Sequence, residues 1–148
     1  MNVEQIIKTT KKMPLESRTL IHITLVHNKI YELAGNALKP FEVSLQQFNV
    51  LRILRGQKGK PANLSTLNER MVTKMSNTTR LVDKLMAKGY VDRSVCPSNR
   101  RKVEIVITEK GTEALVQMDK IMEKTESNIV QHFTKQELEE LNHLLDKF

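Results

Sequence analysis

Between Arg70 and Lys102 the sequence carries nine basic side chains against two acidic ones, whereas residues 1–69 hold ten against five and residues 103–148 five against ten. A concentrated positive field draws polyanions and steers their approach, although charge alone does not choose among DNA, RNA and an anionic membrane. Spacing narrows the chemistry. On an expected helix from about Lys74 to Lys88, Ser76, Asn77, Arg80 and Lys84 share one face, a stripe of hydrogen-bonding groups and cations. Met75, Thr78, Val82, Leu85 and Met86 share the other. A second cluster, the consecutive Arg100, Arg101 and Lys102, closes the turn-rich stretch that starts at Cys96 and Pro97.

Catalytic chemistry is not expected. The sequence has no phosphate-binding glycine loop, no H-E-x-x-H pair and no G-x-S-x-G elbow, and its one cysteine, Cys96, has no histidine near it in sequence. A lone cysteine allows no internal disulfide and no thiolate zinc site. His22 and His27 are about 140° apart around a helix, a poor pair for one metal ion. No metal and no cofactor is expected, and Cys96 reads as incidental rather than redox-active.

The elements that would position the two basic clusters follow from periodicity. Leu20, Ile23, Val26, His27, Ile30, Tyr31 and Ala34 recur at helical spacing after Pro14, giving a first long helix from Leu15 to about Ala34, preceded by a short apolar segment with Ile6 and Ile7. Pro40 breaks the pattern. Ser44 and Gln47 then form a capping box, flanked by Val43 and Phe48, for a helix from Leu45 to about Arg55. Gly56, Gly59 and Pro61 end it. Asn63 caps a short helix from Leu64 to about Met71, with Leu64, Leu67 and Met71 facing inward. Thr73, about three residues on, caps the basic helix that Gly89 closes. Two short helices so joined make a helix-turn-helix outline.

After Gly89 the period falls to two. Tyr90–Arg93 and Val103–Thr108 read as short strands around a loop ending in three cations, a hairpin with a basic tip, so the region 90–108 is a wing. Thr108 caps a long helix from Glu109 to about His132. Thr134 and Glu137 form a second capping box for a last helix whose stripe is Leu138, Leu141, Leu144, Leu145 and Phe148. That stripe and Ile6 and Ile7 need partner surfaces, which points to a dimer built from both termini.

The fold class is therefore mainly α with a small β-wing, one unit of 148 residues in which 1–38 and 109–148 supply dimerisation helices around a winged helix-turn-helix at 40–108. Hydrophobic residues at 39% and charged ones at 28% suit a globular chain, and no apolar run approaches the ~18 residues of a membrane span. Met1–Gln5 lack the pattern of a secretory signal, so a cytoplasmic location is expected, with no membrane partner.

The order of these elements resembles the MarR family of bacterial transcription regulators. The likeness runs from about Leu20 to Phe148. It is carried by Leu45-Gln46-Gln47-Phe48-Asn49-Val50-Leu51, Thr79-Arg80-Leu81-Val82-Asp83-Lys84-Leu85, Lys88-Gly89-Tyr90-Val91-Asp92-Arg93, Pro97-Ser98-Asn99-Arg100-Arg101 and Ile107-Thr108-Glu109-Lys110-Gly111. The resemblance implies a homodimer with interlocked termini, reading pseudo-palindromic duplex DNA through two winged domains, with repression the expected mode. It implies base-edge contact by Arg80, contacts to phosphates or bases by Ser76, Asn77, Thr78 and Thr79, and minor-groove entry by Arg101, with Lys102 on phosphate. Thr78 is also assigned to the core by its apolar stripe. Thr73, Lys74, Lys84, Asn99 and Arg100 complete the expected DNA-facing set. Asn99 stands where the family has an acid that braces a wing arginine. The resemblance also implies a crevice for a small aromatic effector, for which His27, Tyr31, Phe48 and Met71 are candidates, although each reads more readily as core. A competing reading is a winged domain used only for protein interaction or dimerisation; the basic stripe and basic wing tip weigh against it.

Overall fold

The helix that starts after Pro14 runs to Leu38, one turn beyond the expected end at Ala34, because Ala34 and Leu38 are its two residues buried in the core. This computed structural model describes residues 1–73, 77–96 and 99–148, and all of their side chains except those of 96 and 99–102. The elements are α1 (Val3–Ile6), α2 (Leu15–Leu38), a 3-10 turn (Lys39–Phe41), α3 (Leu45–Gly56), α4 (Leu64–Arg70), α5 (Thr78–Ala87), β1 (Val91–Cys96), β2 (Asn99–Ile107), α6 (Glu109–Val130) and α7 (Lys135–Leu145). The expected mainly helical fold with a two-stranded antiparallel wing is the one observed.

Local sequence fixes most of the boundaries. Pro40 sits in the first turn of the 3-10 segment, and Glu42 takes a left-handed conformation (φ 51°) that turns the chain. Both capping boxes form: Ser44 with Gln47 at the start of α3, and Thr134 with Glu137 at the start of α7. The Asn63 side chain accepts from the Thr66 amide to cap α4, and Thr108 accepts from Gly111 to cap α6. Each side-chain cap satisfies a backbone donor that the helix itself cannot.

The core lies where α3 meets α5, α6 and β2, with α2 laid along α6. Phe48, Leu51 and Leu54 of α3 share it with Leu67, Val82, Leu85, Ile105, Leu115 and Met118. Ala62 adds a short third rung to the sheet, exchanging backbone hydrogen bonds of 2.9 and 2.8 Å with Ile105. The outer faces are different. Leu20, Ile23, Val26, Ile30 and Tyr31 of α2 remain exposed, and so do Leu141, Leu144 and Leu145 of α7, a helix that buries no residue.

Three expectations are corrected. α5 starts at Thr78 instead of Lys74, with Asn77 at its cap position and no side-chain cap bond, so Thr73 does not cap it. The strands reach further into the expected loop: Val91 pairs with Ile107 and the ladder continues to Cys96 and Asn99, with an irregularity at Val95/Cys96. A wing that projects into solvent needs backbone pairing but no apolar alternation, which is why the polar Arg100–Lys102 run hid a strand. Phe148 lies beyond the end of α7 and is 85% exposed.

At the start of α6 the packing is closest. A β-carbon on Gly111 would lie 2.1 Å from the Tyr90 carbonyl oxygen, a backbone atom that cannot swing aside. Gly111→Ala is expected to cost about 2–3 kcal/mol or more in urea unfolding, as overpacking against backbone does. At the other end of the chain, Arg18 grips Glu4 with two hydrogen bonds of 2.6 and 3.2 Å and holds its carboxyl below the ordinary carboxylate range. A depressed folded-state pKa gives stability that is present above the ordinary range and lost as pH falls through the lowered value. Arg18→Ala should therefore lower the melting temperature near neutral pH and leave it unchanged well below the carboxylate range.

Candidate nucleic-acid interface

α5 exists as a helix because Val82 and Leu85 are fully buried against α3 and the sheet, which turns the opposite side of the same ten residues outward. On that side Asn77, Thr79, Arg80 and Lys84 are exposed. Among the described residues neither Arg80 nor Lys84 has an ion-pair or hydrogen-bond partner, so both cations face solvent ready for an external anion. Thr78 resolves to the inside. It is 4% exposed, and its hydroxyl donates to the Asn68 side-chain carbonyl on α4, which ties the start of α5 to the preceding helix. Its side chain is removed from the exposed face that Ser76, Asn77 and Thr79 were expected to share with it. Thr73 is exposed ahead of the helix, and Lys74 and Ser76 lie outside the described residues.

Other cations of the basic stretch are engaged. Lys88 pairs with Glu42 at 2.8 Å, and Lys88 beside it holds the Glu42 carboxyl below its usual range. Arg93 on β1 reaches back to Asp83 on α5 at 2.8 Å. Neither pair had a local signal in sequence, since their partners are 46 and 10 residues away. One hint was available for the second: Asp83 is the one acid on the α5 segment, surrounded by cations.

The wing springs from a junction in which four elements meet. The Thr108 amide donates to the Tyr90 carbonyl (3.0 Å) and its hydroxyl to the Gly89 carbonyl (2.7 Å), while Lys110 Nζ donates to the Lys88 carbonyl (2.8 Å). Gly89, at φ 70°, supplies the left-handed turn that ends α5. The side chains of Asn99, Arg100, Arg101 and Lys102 lie outside the described residues; their backbone forms the outer part of β2.

The expected ligand crevice is only partly assembled. His27 and Tyr31 are exposed neighbours on α2, their rings 6.1 Å apart, and the Gln46 amide donates to the Tyr31 hydroxyl at 2.6 Å. Phe48 and Met71 are buried in the core instead. Phe48 also borders a cleft of about 140 Å³ between α3 and α6, whose other walls include Arg52, Arg55, Asp119 and Met122. Arg52 lies 5.6 Å over the Phe48 ring, and Arg55 is paired with Asp119. His27, Tyr31 and Met71 take no part in lining it.

Two helices with the second held outward, followed by a hairpin rooted at that helix's end, define a winged helix-turn-helix protein. The sequence pattern of the MarR family matches residues 43–103, the span from α3 into β2. A MarR-like transcription regulator from Bacillus cereus ATCC 10987 is similar over 90% of this chain and 96% of its own, with 28% identity and a TM-score of 0.81. A mutant MarR from E. coli complexed with operator DNA is similar over 99% and 98%, at 24% identity and TM-score 0.76. An organohalide-sensing regulator in its 2,4-dichlorophenol-bound form is similar over 92% and 80%, at 23% identity and TM-score 0.83. Residues 43–103 thus carry the sequence pattern of the MarR family, and the fold is that of MarR-like transcription regulators along nearly the whole length of the chain. No helix among the described residues is long and apolar enough to cross a membrane.

Arg80→Ala is expected to cost ~1–3 kcal/mol on the cognate duplex and to relax discrimination at one base position, because a guanidinium can make two hydrogen bonds to guanine. An equal loss on random DNA would make Arg80 a phosphate contact. Lys88→Ala, which breaks a pair that is already satisfied, should change DNA affinity much less in the same titration.

Proposed function

We propose that the chain is a homodimeric, sequence-specific DNA-binding repressor that occludes a promoter and is released by a small aromatic effector. The observation that carries this reading is the solvent-facing pair Arg80 and Lys84 on α5, set beside a wing whose tip has the sequence Arg100-Arg101-Lys102. Groove readout needs a helix presented outward with donors free of internal partners, and a second basic element suits backbone or minor-groove contact. The operator complex of the E. coli relative supports duplex DNA as the partner.

Dimerisation is supported by the apolar faces that one copy leaves uncovered. Ile6 and Ile7 near α1, the outer stripe of α2, and Leu141, Leu144, Leu145 and Phe148 at α7 are all exposed, with Leu138 half-buried beside them. Apolar side chains exposed along these helices are the kind of surface that association covers, and a two-fold partner would cover both termini at once. Such a pair sets two α5 helices toward successive major grooves about 34–36 Å apart. The regions 1–38 and 109–148 then serve assembly, and 40–108 serves the DNA. For the effector, the 2,4-dichlorophenol-bound relative supports a phenolic class, and the exposed His27 and Tyr31 rings with Gln46 on the Tyr31 hydroxyl offer one polar and one aromatic wall.

Fluorescence anisotropy with duplexes from the neighbourhood of the chain's own gene tests the reading. Specific binding above a random-sequence control is expected, with log affinity falling by ~0.9 per phosphate contact for each decade of salt, and with release by a phenolic ligand. Binding no better than to random duplex would overturn it and leave a winged domain for protein interaction. Leu144→Glu should shift the dimer to monomer in sedimentation and weaken operator binding with it.

A further inference from the structure

Asp83 is out of place on a DNA-facing helix. It lies three residues after Arg80 and one before Lys84, where a free carboxylate repels phosphate, and a carboxylate reaching a base edge selects cytosine. It is not free. Arg93 Nη1 donates to Asp83 Oδ1 at 2.8 Å, with the two side chains 35% and 51% exposed respectively. A pair that wet adds little to folding stability. Its position suggests a different use. Arg93 stands opposite Ile105 in the ladder, and Ile105 is fully buried and bonded to Ala62 on its other side, so the hairpin is anchored in the core at that rung. Beyond that rung the wing has little beneath it: Ser94 and Val95 are exposed, Val95 at 58%, although Val103 is half-buried against the core. The outer wing is therefore a lever with a lateral brace, at its last fully buried rung, in the Asp83–Arg93 bond to α5.

We infer that Asp83 and Arg93 are positioning residues that hold the wing at a fixed angle to α5, so that the helix and the wing cations meet the DNA together. The inference rests on the DNA-binding reading above and adds to it an acid that raises affinity for a polyanion. Plain Coulomb reasoning gives the opposite sign, since removing a negative charge from a DNA-facing surface strengthens binding. The bracket also neutralises the carboxylate that would otherwise oppose phosphate.

The test compares the full-length wild type with Asp83→Asn, Arg93→Gln, the double variant and Arg93→Lys. Each is measured for operator and random-duplex affinity across a salt series, and for the mobility of a nitroxide on Cys96, the chain's one cysteine, at the end of β1, without DNA. Thermal melting checks folding. Each of the first two variants should weaken operator binding about tenfold, with a shallower salt slope, and the double variant should lose no more than either alone. The label should gain mobility in all three, with melting little changed, and Arg93→Lys should retain most of the affinity. Stronger binding of Asp83→Asn to operator and random DNA alike would overturn the proposal, as would additive losses or a loss confined to duplexes with cytosine at one position. If the wild type shows no specific binding at all, the functional reading fails. The label mobility still decides whether the bracket exists: unchanged mobility rejects it.

Discussion

Everything that faces outward depends on one close approach of backbone to backbone, where Gly111 of α6 passes the carbonyl of Tyr90. A side chain of any size at residue 111 would occupy the space of that oxygen. The contact lets Thr108 cap α6 and, in the same residue, donate to the carbonyls of Gly89 and Tyr90. α5, both wing strands and α6 are thereby fixed to one another within about one turn of chain. The acute geometry has a functional consequence, because a displacement of α6 must be felt at the end of α5 and at the root of the wing. An effector or a partner that shifts α6 has a mechanical route to the exposed face of α5.

The charge of the basic stretch divides by use. Lys88 and Arg93 are committed to internal partners, Glu42 and Asp83, and beyond the stretch Lys110 is committed to the Lys88 carbonyl and the Tyr90 ring. Those commitments place the helix end and the wing root. Arg80 and Lys84 have no such partner among the described residues, and they face solvent from the same side of α5. A count of cations would overstate the binding surface, and the pairing pattern selects a smaller set with a definite direction. Exposed ion pairs of this kind contribute little to stability, so their value lies in geometry.

Much of this was legible in the residues. The capping boxes at Ser44 and Thr134, the caps at Asn63 and Thr108 and the stop at Gly89 all act within a few residues, and sequence spacing reveals them. The core stripe of Val82 and Leu85 was equally plain, and it is what orients Arg80 outward. Three things were not legible. A cap residue at Thr73 points to a start at about Lys74, yet the helix begins at Thr78, whose hydroxyl bonds to Asn68 on another helix. The wing strands extended into polar sequence because strand pairing in solvent leaves no apolar alternation. The pairs Lys88–Glu42 and Arg93–Asp83 join residues from separate elements, and only the fold brings them together. The proposed effector residues divided for a related reason: periodicity placed Phe48 and His27 alike on apolar stripes, and only packing sends the first inward and leaves the second exposed.

The central claim is that two copies present their α5 helices and wings to one duplex in a two-fold arrangement. Hydroxyl-radical footprinting on the highest-affinity duplex tests it most directly. The account predicts two symmetric blocks of protection centred about 10–10.5 base pairs apart or a multiple of that, each flanked by a minor-groove protection that Arg101→Ala removes while leaving the blocks in place. A single asymmetric block, or uniform protection that slides with added salt, would contradict it.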